Sequence, residues 1–182
     1  FTGGLVLNGT SMIDMLRFFA GSEVTEVWGW LDDPPGPESE FIDRGGTGIL
    51  RFENGIEAVL NGRDGKPGIL EWDVMGSHGR IRISNYVLEL WKAATTEGHG
   101  VPVLHPFPQS YVPKAPRVAI VEQIVAYLRE EQDAIDNASH VRAAMEIALA
   151  VHESHSAGRW VQLPLTETSR EVHVLHGPRA WD

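Results

Sequence analysis

The sequence contains no cysteine, which removes disulfides and thiolate metal ligation and fits a cytoplasmic chain, the localisation expected here. It is also short of positive charge. Against 25 acidic residues stand 15 lysines and arginines, a formal net charge of −10, and no basic cluster exceeds the isolated pair Arg80 and Arg82. Nucleic acids and anionic membrane surfaces both need a concentrated positive face, so neither is an expected partner. No apolar run approaches the roughly 20 residues of a membrane-spanning helix, and the first residues lack the basic-then-apolar pattern of a secretory signal.

Familiar catalytic signatures are missing as well. The 8 histidines include His152 and His155, three apart near a helix end, and His173 and His176, but no His-Glu-x-x-His occurs. Zinc wants three or four ligands in fixed geometry, so no metal site is expected. Gly9-Thr10-Ser11-Met12 lacks the closing glycine of a nucleophile elbow. Gly45-Gly46-Thr47-Gly48 is followed neither by Lys-Ser/Thr nor by a helical pattern, which argues against a phosphate loop. No Gly-x-Gly-x-x-Gly lies between a strand and a helix, so the sequence holds no dinucleotide cradle. A chain that opens at Phe1 and enters at once on a glycine pair reads as part of a longer polypeptide.

What is present is an ordinary folded composition: 182 residues, 42% apolar and 22% charged, enough for a sizeable core. The stretch that organises the rest is Gly3-Gly4-Leu5-Val6-Leu7-Asn8-Gly9-Thr10-Ser11-Met12-Ile13-Asp14-Met15-Leu16-Arg17-Phe18-Phe19-Ala20-Gly21. Thr10 and Ser11 offer N-cap hydroxyls and Asp14 stands three residues after Ser11, so a helix is predicted to start there. Met12, Met15, Leu16 and Phe19 follow at helical spacing as an apolar face, and Gly21 supplies a left-handed stop. The glycine-rich approach brings Asn8, Thr10 and Ser11 to one point at a helix start, which suits a hydroxylated or anionic ligand.

This stretch resembles the C-terminal substrate-binding and dimerisation domain of Gfo/Idh/MocA oxidoreductases, in which a Gly-Gly lead precedes an Asp-x-x-x-His-x-x-Asp run facing the nicotinamide. Gly9, Ile13 and Asp14 agree in register, while the family's aspartate falls on Leu7 and its histidine on Ser11. Two further runs carry the resemblance: Trp72-Asp73-Val74-Met75-Gly76-Ser77-His78-Gly79-Arg80-Ile81-Arg82-Ile83, similar to the family's strand, Gly-Thr-x-Gly turn and strand, and Arg142–Ser154 with Gly158-Arg159 and Val161-Gln162-Leu163-Pro164-Leu165. The resemblance spans residues 3 to 165. It implies an NAD(P)-dependent dehydrogenase of a sugar, cyclitol or related hydroxyl compound, with NAD or NADP and a catalytic lysine held by an N-terminal domain outside this sequence. Ser11, at the histidine position, becomes the candidate catalytic residue, and Asn8, Thr10, Asp14 and His105 the candidate substrate-binding residues. A serine hydroxyl of ordinary acidity can hydrogen-bond a substrate but cannot serve as a base near neutral pH. A non-catalytic relative that binds a ligand or a partner therefore stands as the alternative.

The remaining pattern predicts an α+β fold: one large, mostly antiparallel open sheet with helices packed on one face, over residues 1–165, followed by a polar tail, 166–182. Val24–Leu31 reads as a strand, and Asp32–Ser39, with three prolines, as an exposed loop. Asn54-Gly55 between two apolar runs is a hairpin signal. Runs at 69–75, 80–83 and 86–91 continue an antiparallel meander, one face set by Leu50, Phe52, Val59, Leu70, Trp72, Ile81 and Ile83, the other by Glu57, Asn61, Glu71, Asp73, Arg80 and Arg82. Residues 97–116, rich in Gly, Pro and His, are expected as an irregular loop in which Phe107 and Tyr111 beside His105 could close over a small ligand. Residues 117–132 read as an amphipathic helix. A second helix is capped by Asn137, buries Val141, Met145, Ala148, Leu149, Val151 and His152, and ends at Gly158. An apolar opposite sheet face is too large for a monomer to leave wet, so a homodimer or higher homo-oligomer through that face is expected.

Overall fold

The opening helix starts earlier than its hydroxyls suggest. In the computed structural model, which describes residues 4–32, 45–63, 71–84, 87–93, 101–106, 115–132 and 137–166, a π-helical turn, Gly4–Gly9, runs straight into helix α1, Thr10–Ala20. Gly9 is itself helical (φ −71°, ψ −24°), so the backbone has no break at which Thr10 or Ser11 could cap, and no side-chain cap forms. At the other end Gly21, in the left-handed conformation at φ 58°, closes α1 as predicted, its N–H bonding the Arg17 carbonyl.

The α+β class holds. The expected single sheet is instead divided between two compact units, one formed by Phe1–Gly65 with Asp136–Asp182, the other by Lys66–Ile135. Each contains a four-stranded antiparallel sheet.

In the first unit the sheet order is β3-β2-β1-β8, with β1 Val24–Leu31, β2 Gly45–Phe52, β3 Glu57–Arg63 and β8 Val161–Gln162. The predicted hairpin joins β2 to β3: Gly55 takes φ 86° and its N–H bonds the Phe52 carbonyl, while Phe52 N–H bonds Ile56. This is a three-residue loop with one glycine in the left-handed region rather than a two-residue turn. Leu50, Phe52 and Leu60 face Ile13 of α1 and Ala144, Ile147, Ala148 and Val151 of helix α3, Ala138–Ala157, in one buried cluster with Val27 and Leu5. Val59 does not join them. It pairs with Ile49 between Glu57 and Asn61, which period-two alternation puts on the opposite face, and it is 68% exposed.

Helix α3 begins as expected, the Asn137 side chain accepting from Ser139 N–H and His140 N–H, and ends at Gly158 (φ 62°). Its buried stripe has other and mostly smaller members than predicted: Ala144, Ile147, Ala148, Ala150, Val151 and Ser154, with Val141 exposed and Met145, Leu149 and His152 half-buried. The sheet explains this. A Cβ on Gly29 would lie 2.9 Å from Val151 Cγ1, and one on Gly48 3.1 Å from Val151 Cγ2, so the helix rides on glycine and must present small side chains. Its last turn also finishes the sheet: beyond the two residues of β8, Gly29 N–H donates to Ser154 Oγ (3.0 Å) and Leu31 N–H to His155 Nδ1 (3.2 Å).

The second unit has β4 Glu71–Gly76, β5 Gly79–Ser84, β6 Val87–Ala93 and β7 Pro102–His105 in sequential order. Strand β7 falls where an irregular loop was expected; Val103 and Leu104 can pair with the free edge of β6, and Pro102 sits at the strand's first residue, where its missing N–H does least harm. The register settles the faces. Trp72, Val74, Ile81, Ile83, Leu88 and Leu90 share one, while Glu71, Asp73, Arg80, Arg82 and Glu89 share the other. There Arg80 forks onto Asp73 and Arg82 onto Glu71 (3.0 and 2.9 Å). Helix α2, Pro116–Leu128, forms, but Val118, Ile120, Val121, Ile124 and Leu128 all remain more than half exposed. The Asp33–Ser39 part of the proline loop, Phe107, Tyr111, His173, His176 and all of the tail after Thr166 lie outside the described residues.

Candidate functional site

The candidate site is the junction of the π-helical turn with α1. π-helical turns are rare and recur at functional positions because they cost regular hydrogen bonding. Here the turn has a packing cause as well: Leu5 is fully buried, and a Cβ on Gly62 of β3 would meet Leu5 Cδ2 at 3.1 Å. Thr10, Ser11 and Asp14 follow, three and four residues apart, and so lie on one helix face, Ser11 exposed and the other two half-buried. The structure therefore brings these predicted residues together. The backbone of Asn8 belongs to the π-helical turn; its side chain is outside what the structure describes. The first-turn donors of the run lie upstream of Thr10, so the anion-attracting helix start expected at Thr10 and Ser11 is not formed there.

His105 ends β7 in the second unit, exposed and opposite Leu90 of β6.

Asp14 does not reach back to cap the helix; its carboxylate accepts from Arg17 Nη1 at 2.8 Å. Arg17 is the residue that sequence reasoning missed. Only 8% exposed, it forks onto Glu23 (Nε to Oε2 2.9 Å, Nη2 to Oε1 2.6 Å) and also donates to the His140 carbonyl at the start of α3 (3.3 Å). One guanidinium thus ties α1, the turn into β1 and α3 together. The hydrogen bond to Glu23 raises the pKa of Arg17 further and, reciprocally, holds the Glu23 carboxyl below its ordinary range, against the opposing effect of burial. The available signal was the one cation of α1, four residues after Ile13 and three after Asp14; the two buried residues of the helix are Ile13 and Arg17, not the predicted Met12, Met15, Leu16 and Phe19.

Among the described residues no group of His, Asp or Glu is arranged to hold a metal ion, and no helix is long and apolar enough to cross a membrane.

No family model matches the chain, and no curated protein is a detectable relative by sequence. Solved structures do match. An oxidoreductase domain protein from Kribbella flavida superposes with a TM-score of 0.70 at 17% identity, over 90% of this chain and 52% of its own. Levoglucosan dehydrogenase, in complex with NADH and L-sorbose, gives 0.70 at 20% identity, over 90% of this chain and 50% of its own. The WlbA dehydrogenase from Bordetella pertussis, in complex with NADH and UDP-GlcNAcA, gives 0.64 at 19% identity, over 91% and 46%. The fold is shared with these oxidoreductases. The chain spans about half the length of each.

Proposed function

We propose that the chain is the substrate-binding and dimerisation domain of an NAD(P)-dependent oxidoreductase acting on a sugar, cyclitol or related hydroxyl compound. The observation that carries this reading is the fold shared over nine-tenths of the chain with solved oxidoreductases, two of them holding NADH. The motif resemblance along residues 3 to 165 supports it independently. The run closest to a phosphate loop, Gly45–Gly48, does not fit a dinucleotide: it lies inside β2, between β1 and β3, with Gly46 and Gly48 closely packed. On this reading NAD or NADP is bound mainly by a region outside this sequence, as the motif resemblance implies, and the role of this chain is to hold the substrate.

In this role the face of Thr10, Ser11 and Asp14 presents two hydroxyls and a carboxylate to the substrate's hydroxyl groups, with Asn8 just upstream. Ser11 donates or accepts a hydrogen bond at the position where the family has histidine; proton removal falls to a group outside the chain. The exposed face of the first sheet, with Trp28, Trp30, Ile49 and Val59 on one side by register, is the surface for a homodimer or higher homo-oligomer.

The test is to express the chain together with the polypeptide encoded next to it, titrate NADH and NADPH, and assay a panel of polyols and sugars. Dinucleotide binding, polyol oxidation, and a lowered kcat in Ser11→Ala and Asn8→Ala with unchanged thermal unfolding are expected. Failure to bind either dinucleotide would defeat the proposal. The second reading, a non-catalytic relative serving as a ligand-binding or oligomerisation module, is favoured by one observation: the Asp14 carboxylate is already engaged by Arg17. Binding of a polyol without turnover would select it.

A further inference from the structure

The second unit contains a cleft for which the proposed function has no use. It has a volume of about 420 Å³ and lies at the β4–β5 hairpin end, against β6. Its floor is apolar, because Val74, Ile81 and Leu90 are directly paired across three strands and so share a face. It opens at Gly76 and Gly79, a pair with no side chains. Glycine is required at the second position, since a Cβ there would fall 2.1 Å from the Trp91 carbonyl oxygen. The turn itself is tied down by Ala93 N–H donating to the His78 carbonyl (3.3 Å).

The rim is one-signed. In a chain of net charge −10, none of the ten lining residues is acidic, while His78 and Lys92 are basic; Arg80, the third basic residue, carries its side chain to the other face of the sheet. Arg80 is neutralised by its fork onto Asp73. Lys92, directly opposite Gly79, has no ion-pair or hydrogen-bond partner among the described residues. Ser77 Oγ lies 2.9 Å from His78 Nδ1; with the hydroxyl donating, the imidazole proton sits on Nε2, which makes that nitrogen a second donor among the lining residues.

We propose that this cleft binds a small organic anion, its hydrocarbon part on Val74, Ile81 and Leu90 and its carboxylate or phosphate held by Lys92 Nζ and His78 Nε2. The volume falls within the roughly 300–1,000 Å³ usual for small-molecule sites. A neutral polyol, the substrate class proposed for the α1 site, would leave the apolar floor unmatched, so the two sites differ in chemistry and stand or fall separately.

The experiment is an amide-shift NMR titration of the full chain with benzoate, phenyl phosphate, benzyl alcohol and inorganic phosphate. Benzoate or phenyl phosphate is expected to shift the amides of 76–80 and 90–92, the tighter of the two naming the anion. Benzyl alcohol and inorganic phosphate, each lacking half of the match, should need roughly tenfold more for half-saturation. Lys92→Gln, an exposed substitution, should raise the benzoate midpoint by roughly tenfold, whereas Arg142→Gln, on the exposed side of α3, should leave it unchanged. Equal binding of benzoate and benzyl alcohol, equal binding of the two phosphates, or an unchanged midpoint in Lys92→Gln would each overturn the proposal.

Discussion

Replacing Arg17 by methionine tests whether one buried guanidinium holds the candidate site's helix in place. Methionine keeps most of the aliphatic stem, so apolar packing is nearly preserved and the loss is polar. Four hydrogen bonds go: two to Glu23, one to Asp14 and one to the His140 carbonyl. Full loss of a buried, charged partner costs about 3–5 kcal/mol, but both acids here can be rehydrated, since the Glu23 side chain is 63% and that of Asp14 41% exposed. Discounting for that exposure leaves about 2 kcal/mol. With a denaturant slope of roughly 2 kcal/mol per molar urea, the midpoint should fall by about 1 M. The double-mutant cycle with Glu23→Gln should be clearly non-additive, because the two residues share two of the four bonds. The pH dependence supplies a second readout. The folded-state pKa of Glu23 is depressed by Arg17, so its contribution is fully present above the ordinary glutamate pKa of about 4.3 and is lost as pH falls through the lower folded value. In Arg17→Met that acid-side loss should shrink. A midpoint within the ~0.5 kcal/mol scatter of surface substitutions, or strict additivity with Glu23→Gln, would refute the reasoning.

Other outcomes follow from the same packing. Gly29→Ala should destabilise by about 2 kcal/mol, because its Cβ would meet the Thr47 carbonyl oxygen at 2.7 Å as well as Val151, whereas Gly62→Ala, facing only the end of the Leu5 side chain at 3.1 Å, should cost less; thermal unfolding ranks them. Ser154→Ala removes an acceptor for Gly29 N–H and a donor to the Arg159 carbonyl (2.7 Å) at a residue 1% exposed, so about 1–3 kcal/mol should be lost and the Gly29 amide should exchange faster with solvent. In the second unit Arg80 and Arg82 hold Asp73 and Glu71 below their ordinary pKa values, chiefly by side-chain hydrogen bonds. The stabilisation is therefore complete above the normal carboxylate range and fades as pH drops through the lowered values, seen as smaller amide protection factors in β4 and β5 on acidification.

Strand alternation and turn chemistry were legible because they are local. Val24–Leu31, the Asn54-Gly55 loop, the Asn137 cap and the Gly21 and Gly158 stops all follow from residues adjacent in sequence. What escaped was set by distant partners. The small side chains of the α3 stripe answer to Gly29 and Gly48, which meet Val151 from more than a hundred residues away in the chain, and β7 depends on the unpaired edge of β6. At the site, the grouping of Thr10, Ser11 and Asp14 was readable from helical spacing, but the role of Asp14 was not. A carboxylate three residues after a serine looks like half of a capping box, and only the helical conformation of Gly9 and the nearness of Arg17 Nη1 turn it toward the other end of the helix.

The contact between the end of α3 and β1 has a further consequence for assembly. Strand margins with free N–H groups recruit foreign strands, and proteins blunt them to avoid edge-to-edge polymerisation. With Gly29 and Leu31 donating to Ser154 and His155, a helix terminus stands in for the missing length of β8, and that margin is sealed.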